Sequence, residues 1–404
     1  MMLSKEFFTW VDLHAKDDPS LLRLKYAGKS SPLMDYSCAI TQIECRRKFG
    51  TKLSETLSTF PQFIFPSVLS GEQATSDKLA RFHTELISED SSVLDLTAGL
   101  GIDVFHFCKK SKSVMAVEID KERSEAIIYN SAGLGLDNLN IFEGDCREYI
   151  KIASENNMYF DYIFIDPARR AEDGKRVFAL SDCKPDIIEL LPDLSKICGK
   201  LIIKASPMLD ITHCARTLGD ITESIIIPGT PTECKELVII ANFKRQTESP
   251  LIRCKTLSQS PTPEISFKLS DESAFDLQLG RTLQSGDYIY EAYPSVMKSG
   301  ALNLLANKYG LWQFSANTRL LYSDRCERDF PGNAYCVIEV LPYASKIIKR
   351  LKTRYPVANI ATRNFGISAD ALRTRLGIKD GGSTRIYGYT DNNDSKMLAV
   401  TEKV

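Results

Sequence analysis

No run in the 404-residue chain approaches the roughly 20 apolar residues a bilayer-spanning helix needs, which excludes a helical membrane protein. The start, Met1-Met2-Leu3-Ser4-Lys5-Glu6, lacks the apolar stretch of a secretory signal, so the expected setting is cytoplasmic. Eleven cysteines, scattered from Cys38 to Cys336, form no C-x-x-C pair, and the four histidines, His14, His83, His106 and His213, stand far apart. A metal site is therefore not expected, and the cysteines read as reduced core thiols. The net charge is only -1, which excludes a uniformly basic or acidic polymer-binding chain. What is present is a globular composition, 43% hydrophobic and 25% charged, long enough for two or three domains.

The near-neutral total hides an uneven distribution. Leu341 to Gly388 holds ten Lys or Arg against Asp370 and Asp380, a net of +8. Lys346, Lys349, Arg350, Lys352, Arg363, Arg373 and Arg375 are the candidates there for gripping the phosphates of a nucleic acid, with a solvated helix face as the plain alternative.

Residues 1–70 read as helical: Asp18-Pro19 is a cap followed by proline at the first helical position, with Leu21, Leu22 and Leu24 as its apolar face. Helices are also expected at 39–48 and 75–87, with an ordered loop, Gln62 to Phe65, between Pro61 and Pro66. From Ser91 short β-rich runs alternate with helical stretches, at 93–96, 114–119, 139–142, 162–165, 201–204, 224–227 and 237–243. This alternation predicts an α/β, Rossmann-like sheet of seven strands over residues 71–250. Its last two strands, only nine residues apart, should pair antiparallel, which sets the sheet apart from an ordinary dinucleotide-binding one. The Pro/Ser/Thr passage 258–263 reads as a linker. After it, residues 251–342 suggest a ferredoxin-like α+β domain and 343–404 a basic α+β region.

The strongest chemical signal is Val93 to Asp103, a strand running into a glycine turn and a helix. Gly99 and Gly101 let the backbone turn sharply and approach a ligand. The third glycine of a dinucleotide fingerprint is replaced by Val104, which argues against NAD. Glu118, about 20 residues on, is suited to ribose hydroxyls, and Asp145, one strand further, to an adenine amino group. Asp95, Gly99, Glu118, Asp145 and Asp166 should converge at the carboxyl ends of the strands; a single carboxylate there is commonly a helix cap or surface charge, and four in register are harder to read that way.

Asp95-Leu96-Thr97-Ala98-Gly99-Leu100-Gly101, Glu118-Ile119-Asp120 and Asp166-Pro167-Ala168-Arg169-Arg170 resemble motifs I, II and IV of class I S-adenosylmethionine-dependent methyltransferases. Together with Gln42 to Arg46, Glu72 to Thr75 and the ending Thr362 to Ile378, their order is similar to a bacterial family with a C-terminal THUMP-like domain, over nearly the whole chain. The resemblance implies an RNA-directed enzyme using S-adenosylmethionine. Asp95 and Thr97 to Gly101, Ala98 included, would cradle the methionine part, Glu118 the ribose and Asp145 the adenine, with Ile119 and Cys146 next to them as further cofactor-binding residues. Gln73 and Thr75 would complete the pocket, with helix capping as their alternative role.

Motif IV departs from better-known relatives. It lacks the aromatic ring used by enzymes that methylate exocyclic amines. RNA uracil C5 methyltransferases need a cysteine after the next strand, where this chain has Ser206-Pro207; Cys198 and Cys214 nearby read as packing residues. The reading is direct transfer to a nitrogen or oxygen of an RNA nucleotide, with Asp166 at the cofactor and orienting the nucleophile, and Arg169 and Arg170 holding a phosphate or base edge. A noncatalytic RNA-binding scaffold, or a methyltransferase of small molecules or proteins, are the alternatives.

Overall fold

The computed structural model describes residues 4–31, 34–169, 179–258 and 263–404. The chain divides into two compact units, residues 1–205, 217–222 and 239–246 in the first, and 206–216, 223–238 and 247–404 in the second.

The first unit opens with helices α1 (Lys5–Leu13), α2 (Pro19–Tyr26), α3 (Tyr36–Phe49), α4 (Ser54–Thr59), α5 (Val68–Gln73) and α6 (Asp77–Glu85). Asp18 caps α2 as its sequence predicts, accepting the amides of Ser20 and Leu21 at 2.7 and 3.2 Å ahead of Pro19. The expected apolar face does not form: Leu22 is buried, while Leu21 and Leu24 are exposed. Successive helical residues turn by about 100°, so three leucines at these spacings cannot share one face.

The loop before α5 is ordered by side chains acting as strand partners. Gln42 accepts the Phe65 amide at 2.8 Å and donates to the Phe65 carbonyl at 2.9 Å. Asn130 does the same for Ile64, at 2.8 and 3.0 Å. Both amide side chains are fully buried, and so are Phe63, Ile64 and Phe65, which explains why an apolar loop can lie inside the protein: its backbone groups are satisfied without water.

The main sheet contains β1 (Ser92–Asp95), β2 (Ser113–Glu118), β3 (Leu139–Glu143), β4 (Phe160–Ile165), β5 (Cys198–Ala205), β6 (Thr222–Gly229), β7 (Leu237–Asn242), β8 (Leu251–Thr256) and β9 (Ile265–Lys268). Their order is β9-β8-β6-β7-β5-β4-β1-β2-β3. The sheet is thus nine-stranded and mixed, not seven-stranded. The two extra strands come from beyond residue 250: β8 pairs parallel with β6, and β9 antiparallel with β8. Leu251 to Thr256 alternates in burial, with Ile252, Cys254 and Thr256 covered and the residues between them more exposed, the pattern of a strand covered on one face. Gly229 and Cys234 form an antiparallel bridge in the short connection between β6 and β7. The helices that alternate with the strands of this sheet along the chain are α7 (Ile102–Cys108), α8 (Lys121–Gly133), α9 (Cys146–Glu155), α10 (Ile187–Ile197) and α11 (Ile211–Leu218).

In the second unit, β10 (Tyr288–Ala292), α12 (Pro294–Ser299), α13 (Leu302–Tyr309), β11 (Trp312–Gln313), β12 (Leu321–Ser323), β13 (Gly332–Pro342), α14 (Ser345–Arg354), β14 (Asn359–Arg363), α15 (Ala369–Leu376), β15 (Thr384–Thr390) and β16 (Lys396–Lys403) follow. All seven strands enter one sheet, β11-β12-β10-β13-β16-β15-β14. One face buries an aromatic cluster that includes Phe314, Tyr322, Tyr335, Tyr387 and Tyr389. The other buries Leu351, Leu372, Leu376, Ile386 and Leu398, which include the inward faces of α14 and α15.

Replacing Asn130 by Ala strands the Ile64 amide and carbonyl in the interior. The expected cost is about 2 to 6 kcal/mol, from one to three for each of the two unsatisfied groups, read as a lower denaturant midpoint with an unchanged slope. A midpoint equal to the wild type's would show that the loop is not held this way.

Candidate functional site

Strands β1, β2 and β4 lie parallel, and at the same edge each finishes in or just before an acidic residue, Asp95, Glu118 and Asp166. The chain leaves β1 still tied to both neighbours: the Leu96 amide donates to the Phe164 carbonyl and the Ala98 amide to the Val117 carbonyl, each at 3.0 Å. The turn then needs left-handed backbone at Gly99 (φ +59) and Gly101 (φ +86). Gly101 is also required by space, since a Cβ there would lie 2.7 Å from the Phe105 ring and 3.1 Å from Ile127.

The carboxylates shape this turn. Asp95, 1% exposed, accepts the Thr97 amide at 2.9 Å. Burial pushes its carboxyl well above the usual range; the Thr97 amide and Lys204 oppose that shift, while Asp103 and Asp166 add to it. Glu118 accepts the Gly99 amide at 2.8 Å on Oε2 and the Asp120 amide at 2.9 Å on Oε1, where Arg123 also donates from Nε and Nη2 at 3.0 and 2.8 Å. Ile119, the next residue, is 66% exposed and presents an apolar side chain at the strand end. Asp145 is the N-cap of α9, accepting the Arg147 amide at 2.8 Å and its guanidinium at 3.0 and 2.6 Å, contacts that hold its carboxyl down at about 2. Cys146 follows as the first residue of that helix, its thiol pushed up to about 11 by burial.

Asp166 is fixed at both its backbone and its side chain. Its amide donates to Thr97 Oγ1 at 2.7 Å, and its Oδ2 lies 2.5 Å from Lys204 Nζ at the end of β5. Lys204 also donates to Thr75 Oγ1 at 3.1 Å; Thr75 in turn donates to Asp103 Oδ2 at 2.5 Å, and the other Asp103 oxygen faces His83 Nδ1 at 2.7 Å. Burial would raise the Asp103 carboxyl, but the charge and hydrogen bond of His83, with Lys204 and Thr75, outweigh it and hold it at about 2. Asp77 and His106, at 3.5 Å, join the same two helices in the reverse sense, so α6 and α7 exchange two carboxylate–imidazole contacts.

Thr75 therefore does not cap a helix; Ser76 caps α6, and Thr75 is buried in the carboxylate network. Gln73 sits exposed at the end of α5. Ala168 and Arg169 pair antiparallel with Lys184 and Cys183, while the Arg169 side chain and Arg170 lie outside the described residues. Cys198 and Cys214 are buried, as packing residues should be. Asp103, His83, Arg123 and Lys204 were not singled out from sequence. A lysine closing the buried run Leu201-Ile202-Ile203, and an aspartate in the first turn of the apolar α7, were the available signals.

In the basic segment, Arg350 pairs with Glu339, Arg363 with Glu291, and Arg373 with Asp370 and Asp380. Lys346, Lys349, Lys352 and Arg375 are exposed and form no ion pair among the described residues. Among those residues, too, no helix is long and apolar enough to cross a membrane, and no group of three His, Cys, Asp or Glu could hold a metal ion.

Comparison with known proteins matches three family models: 16S rRNA methyltransferase RsmB/F over residues 85–171, a ferredoxin-like domain over 288–331, and a THUMP domain-like model over 332–403. An uncharacterized S-adenosylmethionine-dependent methyltransferase of Mycobacterium tuberculosis is 24% identical over 343 residues, 83% of this chain and 87% of its own. A 23S rRNA (uracil-C5)-methyltransferase of Shewanella amazonensis is 26% identical over 168 residues, 38% of this chain and 43% of its own. The crystal structure of a presumed methyltransferase from Porphyromonas gingivalis W83 superposes over all of both chains, with a TM-score of 0.88 and 28% identity.

Because the Asp103 carboxyl is held below the ordinary aspartate value, at about 2, the stability it contributes is complete above about pH 4 and is lost as the pH falls from there through 2. Asp103→Asn should therefore be less stable than wild type at pH 7, and its denaturant midpoint should fall less between pH 4 and pH 2. An equal fall in the two proteins would sink this assignment.

Proposed function

We propose that this chain, an S-adenosylmethionine-dependent methyltransferase by its matched family model and its relatives, methylates a nitrogen or oxygen of an RNA nucleotide. The observation that carries the reading is the convergence of Asp95, Glu118 and Asp166 at the ends of neighbouring parallel strands around a turn with two left-handed glycines.

The residues fit the cofactor on physical grounds. An added positive charge beside Asp95, whose negative form burial and two other carboxylates disfavour, would be stabilised. The bare Ile119 side chain suits the face of an adenine, and Glu118 is the acceptor proposed for ribose hydroxyls. Asp145, shared with Arg147, is the proposed partner of the adenine amino group. When bound, S-adenosylmethionine would supply a methyl group activated on a sulfonium.

The protein's own part is positioning. Asp166 accepts a hydrogen bond from the attacking N–H or O–H, which aligns its lone pair and stabilises the group as its proton becomes acidic. That proton leaves to Asp166 or to water. RNA as substrate is supported by the rRNA-directed names of the matched family model and of the Shewanella relative, and by the exposed lysines of α14.

Asp95→Ala and Glu118→Ala should each weaken cofactor binding by about 1 to 3 kcal/mol in calorimetry, as expected for hydrogen bonds to a charged group. Asp166→Ala should keep that affinity but lower kcat by at least about 100-fold, on RNA from cells lacking the gene. Asp166→Asn should lose less if orientation dominates over proton transfer. Mass analysis of the product nucleosides then separates N- or O-methylation from C-methylation. Unchanged affinity in both cofactor variants, or full activity in both Asp166 variants, would remove the corresponding assignment.

If the exposed lysines grip phosphates, replacing Lys346, Lys349 and Lys352 with Ala should weaken RNA binding and lower the salt slope by about 0.7 to 0.9 per lost contact. Cofactor affinity should not change. An unaltered slope would assign the lysines to solvation only.

A further inference from the structure

Lys204 is the penultimate residue of β5, yet its ammonium is drawn back into the site, with only 14% of its side chain exposed. It touches Asp166 at 2.5 Å and Thr75 at 3.1 Å, joining the end of β4 to the segment that enters α6. Its field also favours the charged forms of Asp95 and Asp103, so one cation acts on three carboxylates that otherwise repel each other. An exposed ion pair fixes little, because water competes for both partners. Here the lysine is largely buried, and the Asp166 backbone is independently anchored to Thr97.

Two attachments at different points of one residue, its amide and its carboxylate, restrict how that carboxylate is presented. We propose that Lys204 is a positioning residue for methyl transfer, holding the Asp166 carboxylate where it can accept the N–H or O–H of the attacking nucleotide. The proposal rests on the methyltransferase reading with Asp166 as acceptor. It assigns no contact between Lys204 and the nucleotide; the lysine acts through the aspartate. Thr75 belongs to the same arrangement, since its hydroxyl accepts from Lys204 while donating to Asp103, which fixes the lysine's own approach.

The test is a double-mutant cycle on the full chain with wild type, K204M, D166A and K204M/D166A. Methyl transfer is read with tritiated S-adenosylmethionine on total RNA from cells lacking the gene. Affinity for S-adenosylhomocysteine and the melting temperature are measured alongside. K204M should lower kcat by about 10- to 100-fold, the scale of a misplaced catalytic group, with affinity and KM for RNA near wild type. K204R, which keeps the charge, should recover part of the loss, and it closes the same cycle with D166A should K204M fold poorly. The double variant should be no slower than D166A alone. Losses that multiply, or full activity in K204M, overturn the role of Lys204 while leaving the methyltransferase reading intact. A wild-type protein that transfers no methyl to RNA, or a fully active D166A, overturns that reading and this proposal with it.

Discussion

A carboxylate buried at the end of a parallel strand must find donors or give up its charge, and this constraint organises the first unit. Asp95 and Glu118 take the amides of Thr97, Gly99 and Asp120, which forces the chain into the turn that requires Gly99 and Gly101. Asp103, in the first turn of the next helix, takes His83 and Thr75, which fastens α7 to α6 and to the segment before it. Asp166 takes Lys204. The shape of the site and the compensation of its charge are therefore one arrangement, and the apolar packing beneath it, Val93, Leu94, Ile163 and Phe164, makes that compensation necessary.

How much of this was readable in the sequence depended on distance along the chain. The glycine turn, the acidic residues at the strand ends and the Asp18 cap are local patterns, and they stand where they were expected. Asp145 was legible in position too, and the structure adds the helix cap and an arginine two residues away, contacts that spacing alone could not separate from ligand binding. Lys204 meets Asp166 across 38 residues and Thr75 across 129, so no window on the sequence contains both partners. The strand Leu251–Thr256 was hidden differently, by its closeness to a Pro/Ser/Thr passage that suggested a linker.

The basic segment shows how formal charge overstates the field a partner would meet. Of its ten cations, Arg350, Arg354, Arg363, Arg373 and Arg385 are engaged by carboxylates of Glu339, Glu291, Asp370 and Asp380. The guanidinium's planar donors suit such pairing, and the lysines, as flexible and well-hydrated points of charge, are left on the surface. A count by segment cannot see Glu291 or Glu339, which come from strands outside it.

The matched ferredoxin-like and THUMP-like stretches meet between residues 331 and 332, yet β10 from the one is hydrogen-bonded to β13 from the other along Tyr288 to Ala292. The seam between two units of sequence thus runs through a ladder. Gene rearrangement that exchanged either stretch alone would leave an open strand edge able to recruit foreign chains. In heredity and in protein engineering the pair is consequently a single cassette, to be moved whole or not at all.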